Sequence, residues 1–112
     1  MKQTAVHVVF TCLLALSGGA QTTSEISGRI ADPGGSVVPG AQVQVTNLDT
    51  NAVKTAQSGN DGSYSFPALT VGPYKLEVRK DGFETYVQSG IVLQLNVNPT
   101  VNVALQLGSI SQ

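Results

Sequence analysis

The chain has 112 residues, of which six are Lys or Arg and seven are Asp or Glu, so its formal net charge at pH 7 is −1. This length is typical of a single domain. The balanced charge excludes the strongly basic surface by which proteins attract nucleic acid or anionic membranes, so neither partner is expected.

The first residues have the pattern of an export signal. Lys2 makes the start positive, residues 5–16 are mostly apolar, and Gly18 and Ala20 are small residues suited to cleavage before Gln21. The apolar run is short, because a membrane-spanning helix needs about 20 apolar residues. The pattern therefore predicts a cleaved leader and an exported protein.

The predicted leader covers residues 1–20 and the predicted domain covers residues 21–112, with no membrane span after cleavage. A retained membrane anchor and a lipoprotein modified at Cys12 are the alternatives. Cys12 lies inside the apolar run, directly after Phe10 and Thr11, which is a poor position for lipid attachment. Export places the domain in the periplasm, at the periplasmic face of an outer membrane, or outside the cell.

The predicted leader contains the only histidine and the only cysteine, His7 and Cys12. Its removal would leave no thiol or imidazole for nucleophilic catalysis, no disulfide and no Cys/His zinc site. We therefore predict that the domain is not an enzyme, and that it has no catalytic residue, no metal ligand and no cofactor.

Apolar and polar residues alternate along much of residues 25–107. The sequence YKLEVR at residues 74–79 is the clearest case, with apolar side chains on one face and charged ones on the other. Turn residues recur between these stretches, which favours an antiparallel sandwich or barrel. Strands are predicted near residues 25–31, 41–48, 53–58, 63–66, 74–80, 84–88 and 91–107, the last interrupted at Pro99.

The same alternation predicts which side chains form the core and where the chain reverses. Gly62 is expected to adopt a positive φ after Asn60 or Asp61 has bonded the following backbone. The predicted core consists of Ile26, Ile30, Val43, Val45, Tyr64, Phe66, Leu69, Tyr74, Leu76, Val78, Phe83, Val101, Val103 and Leu105.

Several motifs occur in a characteristic order. They are ISGRI at 26–30, VPGAQV at 38–43, NDGSYSF at 60–66, GPYKL at 72–76 and DGF at 81–83. In these motifs the chain resembles the carboxypeptidase regulatory-like domains. The resemblance implies a transthyretin-like, immunoglobulin-like Greek-key β-sandwich of about seven antiparallel strands.

Two further stretches, residues 90–96 and 103–112, resemble the passage into the plug of TonB-dependent outer-membrane receptors. The resemblance implies an accessory or interaction domain at the N-terminal side of such a receptor, with the rest of the receptor or another protein as partner. A carbohydrate-binding module of the same fold is the alternative.

Candidate ligand-contact residues are few. Tyr64, Phe66 and Tyr74 occupy strand positions that face the core, whereas Phe83 and Tyr86 lie near the Asp81-Gly82 turn. These two are the aromatic pair expected to be exposed, and so the predicted contacts for a carbohydrate. Residues 59–62 lack the alternating ligands of a calcium loop. Asp61, together with Asp49 or Asp81, fits solvated turns better than a catalytic carboxylate pair. Partner binding at an open sheet edge is also expected, but the pattern does not indicate which edge.

Overall fold

The computed structural model describes residues 23–108, and within that range every regular element is a β-strand. A three-stranded sheet has the order β4–β1–β7, and a four-stranded sheet has the order β3–β2–β5–β6. The predicted all-β sandwich is confirmed, whereas the predicted leader lies outside the described residues. The strands are β1 (Thr23–Ala31), β2 (Gln42–Asn47), β3 (Val53–Gln57), β4 (Ser63–Thr70), β5 (Gly72–Arg79), β6 (Tyr86–Leu93) and β7 (Val103–Ala104).

Burial alternates along the strands as the sequence predicts. All the predicted core residues are buried except Phe83 and Val101, which are partly buried and pack against the core. The buried hydrophobic residues absent from the predicted core are Val38, Ala41, Ile91 and Leu93. The first two precede β2, and the other two follow an irregularity in β6 that shifts the alternation. No helix in residues 23–108 is long and apolar enough to cross a membrane.

That irregularity also corrects one predicted strand boundary. Stretches predicted as separate strands, 84–88 and the beginning of 91–107, form the single strand β6. Gly90 has a φ of 80°, and the β5–β6 register shifts between Tyr74 and Leu76 of β5. A bulge of this kind accommodates an extra residue without ending the strand, so a glycine inside an alternating run was wrongly interpreted as a terminus.

The pairing of β1 with β7 is parallel, which corrects the expectation of antiparallel strands throughout. Ile30 pairs with Val103 and Ala31 with Ala104, and Ser27 forms an isolated parallel bridge with Thr100. The reason is the connection: β6 ends where β1 begins, and the chain then crosses to the other sheet and runs beside β1 in the same direction.

This pairing separates the two ends of the sandwich. The chain enters β1 at the entry end, where Thr23 lies opposite Thr70. It leaves at the exit end, where the Leu105 amide donates to the carbonyl of Ala31. Since β1 has nine residues, the two points are about 30 Å apart along the strand.

The predicted reversal before β4 is confirmed in detail. Gly62 has a φ of 79°, and the Asp61 carboxylate accepts hydrogen bonds from the amide and hydroxyl of Ser63 at 3.1 and 2.7 Å. A Cβ on residue 62 would lie 2.7 Å from the carbonyl oxygen of Ile30. Both the backbone conformation and the packing therefore require glycine at this position.

Candidate functional site

The contact between β1 and residues 98–105, called the terminal seam below, joins the first strand of the domain to its last. It contains three main-chain hydrogen bonds outside the regular ladder, because residues 99–102 do not hold strand geometry throughout. They run from the Val101 amide to the Ser27 carbonyl at 2.7 Å, from the Ser27 amide to the Pro99 carbonyl at 3.3 Å, and from the Leu105 amide to the Ala31 carbonyl at 2.9 Å.

Two side-chain amides complete the terminal seam. The Glu25 amide donates to Oδ1 of Asn98 at 2.9 Å, and the Arg29 amide donates to Oδ1 of Asn102 at 3.0 Å. Each asparagine oxygen therefore satisfies a β1 donor that a neighbouring main-chain carbonyl would satisfy in a regular parallel ladder. Neither asparagine is among the site residues predicted from the sequence.

A buried tyrosine explains why an asparagine side chain replaces a main-chain carbonyl as the acceptor in this ladder. The Tyr64 hydroxyl donates to the carbonyl of Val101 at 2.6 Å, so this carbonyl is bonded by a side chain and not by an amide of β1. Tyr64 reaches it across Gly28, where a Cβ would overlap the Val101 carbonyl oxygen and lie 2.9 Å from the Tyr64 hydroxyl. Burial raises the pKa of the Tyr64 hydroxyl well above its ordinary value, so the group stays protonated and remains a donor.

The outer face of the three-stranded sheet forms an open concavity of about 920 Å³. Its floor is shallow because the outward positions of β1, β4 and the seam carry small side chains. They include Ser27, Ala31, Ser63, Ser65, Thr100 and Ala104. The single aromatic residue at this concavity, Tyr64, is buried with only 4% of its surface exposed, so the floor offers no flat ring for stacking a sugar.

One charged pair lies at the rim of this concavity. Arg29 is 4.0 Å from Asp61, and both side chains are largely exposed. The hydrogen bond from the Ser63 hydroxyl is the main reason that the pKa of Asp61 lies below its ordinary value, and Arg29 contributes less. These contacts assign Asp61 to the β3–β4 turn, since its carboxylate is already occupied by Ser63.

The predicted carbohydrate contacts lie elsewhere: Phe83 is in the connection between β5 and β6, and Tyr86 is the first residue of β6. Phe83 and Tyr86 are each partly buried and pack against the core, so neither presents a fully exposed ring. The Tyr86 hydroxyl donates to the side-chain oxygen of Gln88 at 2.6 Å. Phe83 forms an isolated bridge with Leu107. Ligand contact by these two residues stays a prediction.

The three aspartates considered for catalysis are distributed over both ends of the sandwich. Asp49 follows β2 at the entry end, while Asp61 and Asp81 lie in turns at the exit end. Among residues 23–108, no group of three or more His, Cys, Asp and Glu side chains is placed to hold a metal ion.

The four sheet edges differ in how well they could accept a partner strand. The β3 edge carries the exposed Lys54, and the β4 edge contains Pro67, which has no amide to donate, followed by Ala68 at a φ of 60°. The β6 edge is interrupted by the bulge at Gly90. The edge along residues 100–104 carries none of these features, and Thr100 and Ala104 are exposed there.

Comparisons with known proteins agree with this architecture. The sequence model of the carboxypeptidase regulatory-like domain matches residues 25–106, which is most of the described chain. The resemblance found in the motifs is thereby confirmed, although the similarity to TonB-dependent receptors is not addressed by this match. Among the curated proteins, none matches this chain in sequence.

Solved structures of this fold serve different functions. A hydroxyquinol 1,2-dioxygenase from Pseudomonas putida has a TM-score of 0.64 at 11% identity, covering 82% of this chain and 59% of that one. A candidate carbohydrate-binding protein from Bacteroides uniformis has 0.62 at 18%, covering 76% and 42%. The shaft pilin SpaA from Lactobacillus rhamnosus GG has 0.58 at 13%, covering 82% and 50%. At these identities the likeness establishes the fold alone, and the chain spans less than two thirds of each.

Proposed function

This chain belongs to the carboxypeptidase regulatory-like domain family, a non-catalytic type of domain, and we propose that it is an in-line interaction module of a larger exported protein. The larger protein is a TonB-dependent outer-membrane receptor. In it, the domain lies on the periplasmic side and precedes the plug. The leader over residues 1–20 directs export.

The observation that carries this proposal is the parallel pairing of β1 and β7. Because the two strands run in the same direction, the chain enters the domain at one end and leaves it at the other. A domain with its termini together can be inserted into a loop. A domain with termini about 30 Å apart along its strands instead holds the preceding and following segments apart.

The receptor context is supported by the resemblance of residues 90–96 and 103–112 to the passage into a plug. The second of these stretches begins with β7, whose direction takes the chain towards the exit end. A plug following it would therefore adjoin the turns around Gly62 and Gly82. The entry end would be directed away from the plug, towards the periplasm.

Exposed apolar side chains support protein contact at the entry end. Leu48, Val71 and Val92 are 46%, 38% and 56% exposed. The β5–β6 register places Val92 opposite Pro73, and the Leu48 amide donates to the Pro73 carbonyl at 2.9 Å. Apolar side chains grouped in this way favour a protein partner.

The reading frame tests the receptor assignment directly. Continuation in frame beyond the codon for Gln112 into a plug and a many-stranded barrel is the expected result, and a stop codon there would overturn the assignment. The leader is tested by the intact mass of protein recovered from the periplasm. We expect a new N-terminus at Gln21, whereas a mass that includes residues 1–20 would contradict cleavage.

Carbohydrate binding is a second candidate function, favoured by the partial exposure of Phe83 and Tyr86 and by the polar pair of Tyr86 with Gln88. A glycan array with the exported protein would test it. Binding that Phe83→Ala and Tyr86→Ala abolish, while Leu107→Ala leaves it intact, would support this function over protein contact. No glycan retained at any position would exclude it.

A further inference from the structure

The terminal seam has a geometry that determines how the domain responds to tension. Its bonds join residues that are 70 or more positions apart in the chain, including the pairs Glu25–Asn98 and Arg29–Asn102. The first strand and the last segment are therefore direct neighbours. A load applied through the two ends of the chain is therefore carried across this contact.

The direction of such a load is fixed by the parallel pairing. Tension on the N-terminal side pulls Thr23 away from the entry end, and tension on the C-terminal side pulls Leu105 away from the exit end. The two strands would have to slide past each other along their length. Ladder hydrogen bonds lie largely across the strand direction, so the seam bonds share the load and must break together.

Antiparallel contacts of the same strand would respond differently. Thr23 and Thr70 face each other at the entry end, so force applied at Thr23 and at Val71 would separate β1 from β4 one pair at a time. The same strand therefore has one contact that is loaded in shear by the chain ends and another that is peeled when pulled from a single end.

The seam is also locked by side chains. Asn98 and Asn102 add two hydrogen bonds to the main-chain set, and the Tyr64 hydroxyl holds the Val101 carbonyl from inside the core. Beyond the seam, the Glu84 amide donates to the Gln106 carbonyl at 2.8 Å and the Gly108 amide to the Gly82 carbonyl at 2.9 Å. The departing chain is thus bonded both to β1 and to the connection between β5 and β6.

We propose that the terminal seam is a mechanical clamp, which lets the domain transmit tension between the segments before and after it without unfolding. This inference goes beyond the proposed function and does not depend on the receptor, because it follows from the pairing of β1 with residues 98–105. A failure of the receptor assignment in the reading-frame test would leave it unaffected.

Single-molecule force spectroscopy on the full chain tests the clamp by changing only the pulling points. One tether joins the N-terminus and the C-terminus. The other joins the N-terminus and a cysteine at Val71→Cys, with Cys12→Ser removing the native thiol. We expect a several-fold higher unfolding force for the end-to-end tether at equal loading rate, because forced unfolding reports the barrier along the pulled direction. Equal forces in the two geometries would overturn the proposal.

A pair of variants separates the clamp from general stability. Asn102→Ala removes a seam bond. Asn47→Ala instead removes the contacts of its side-chain amide with Thr70 and Tyr74 at the entry end, together with the acceptor of the Asp49 and Thr50 amides. We expect Asn102→Ala to lower the end-to-end unfolding force and leave the peeling force nearly unchanged. A larger fall in end-to-end force for Asn47→Ala would contradict the clamp. If either variant fails to fold, the comparison of the two tethers without an asparagine substitution still tests the proposal.

Discussion

The two sides of β1 are held in different ways. On one side β4 pairs with it in an antiparallel ladder from Thr23↔Thr70 to Arg29↔Ser63. On the other side the terminal seam combines main-chain bonds with the side chains of Asn98, Asn102 and Tyr64. A regular ladder tolerates many residue types because its bonds are all main-chain, while the seam depends on particular side chains. The two sides should therefore differ in sensitivity to substitution.

The largest effect is expected for Gly28→Ala in the seam. The new Cβ would overlap the Val101 carbonyl and displace it from the Tyr64 hydroxyl. We expect a loss of about 4 kcal/mol in the free energy of unfolding, because overpacking and a broken buried hydrogen bond act together. Urea denaturation would measure it as a fall in midpoint at constant m-value.

Gly34→Ala is the matched control, since the nearest atom to its added Cβ, Oδ1 of Asp32, is 3.6 Å away. Its midpoint should stay close to that of the wild type. If the two variants unfold at the same urea concentration, residue 28 is not in close contact with the last segment.

On the β4 side, Gly62→Val tests the turn that leads into β4, where backbone conformation and packing both require glycine. We expect a loss of about 3 kcal/mol, from left-handed backbone strain plus contacts with Ile30 and Val37. Gly35→Val separates the two causes, because Gly35 has a φ of 91° with no atom within 4 Å of its Cβ. Thermal melts should place Gly35→Val between the wild type and Gly62→Val. Equal melting temperatures for both variants would mean that packing against Ile30 contributes nothing.

A smaller effect is expected for Asn102→Ala, which removes the acceptor of the Arg29 amide. Its cost should be about 1 kcal/mol, as for a typical hydrogen bond. Native-state hydrogen exchange should show faster exchange at the Arg29 amide. By contrast, the Ile30 amide, which donates to the Gly62 carbonyl at 2.8 Å on the β4 side, should keep its rate. Faster exchange at both amides would indicate that the two sides of β1 open as one unit.

The smallest effect is the pH dependence of the β3–β4 turn. Since the pKa of Asp61 is lowered from its ordinary value of 3.8 in the folded state, its contribution to stability is present above that value. The contribution is lost as the pH falls through the lowered pKa. The difference in melting temperature between the wild type and Asp61→Ala should be constant near neutral pH and disappear under acid conditions. A difference in melting temperature that widens on acidification would contradict a lowered pKa for Asp61 in the folded state.

The sequence predicted what depends on local pattern. Alternation located the strands around Tyr64, Leu76 and Val103, and the Asn-Asp-Gly order located the turn at Gly62. The parallel partner of β1 was not predictable in this way, because a strand contains no signal for the direction of its neighbour. Gly90 was misinterpreted because the same local sequence allows a glycine either to end a strand or to form a bulge within it.

The terminal seam was harder to predict than the strands. Asn98 directly precedes Pro99, where the predicted strand is interrupted, and Asn102 occupies an outward position of an alternating run. Their side-chain oxygens accept hydrogen bonds from amides 73 residues away in the chain, so no periodic pattern in the sequence identifies these two asparagines. Phe83 was assigned to the core and also, with Tyr86, to ligand contact. Such a conflict arises where a side chain is half-buried, because period-two alternation distinguishes only two faces.

The long separation across the terminal seam also affects when the domain can fold. Strand β1 has β4 as a partner once residue 70 is available, but its second partner consists of residues 98–105. Contacts of such large sequence separation close long loops and form slowly. A chain emerging from an export pore from its N-terminus would therefore lack its closing segment until nearly the whole domain had crossed. For the exported protein that we propose, the order of the strands thus favours folding after translocation, when the chain is no longer threaded through the pore.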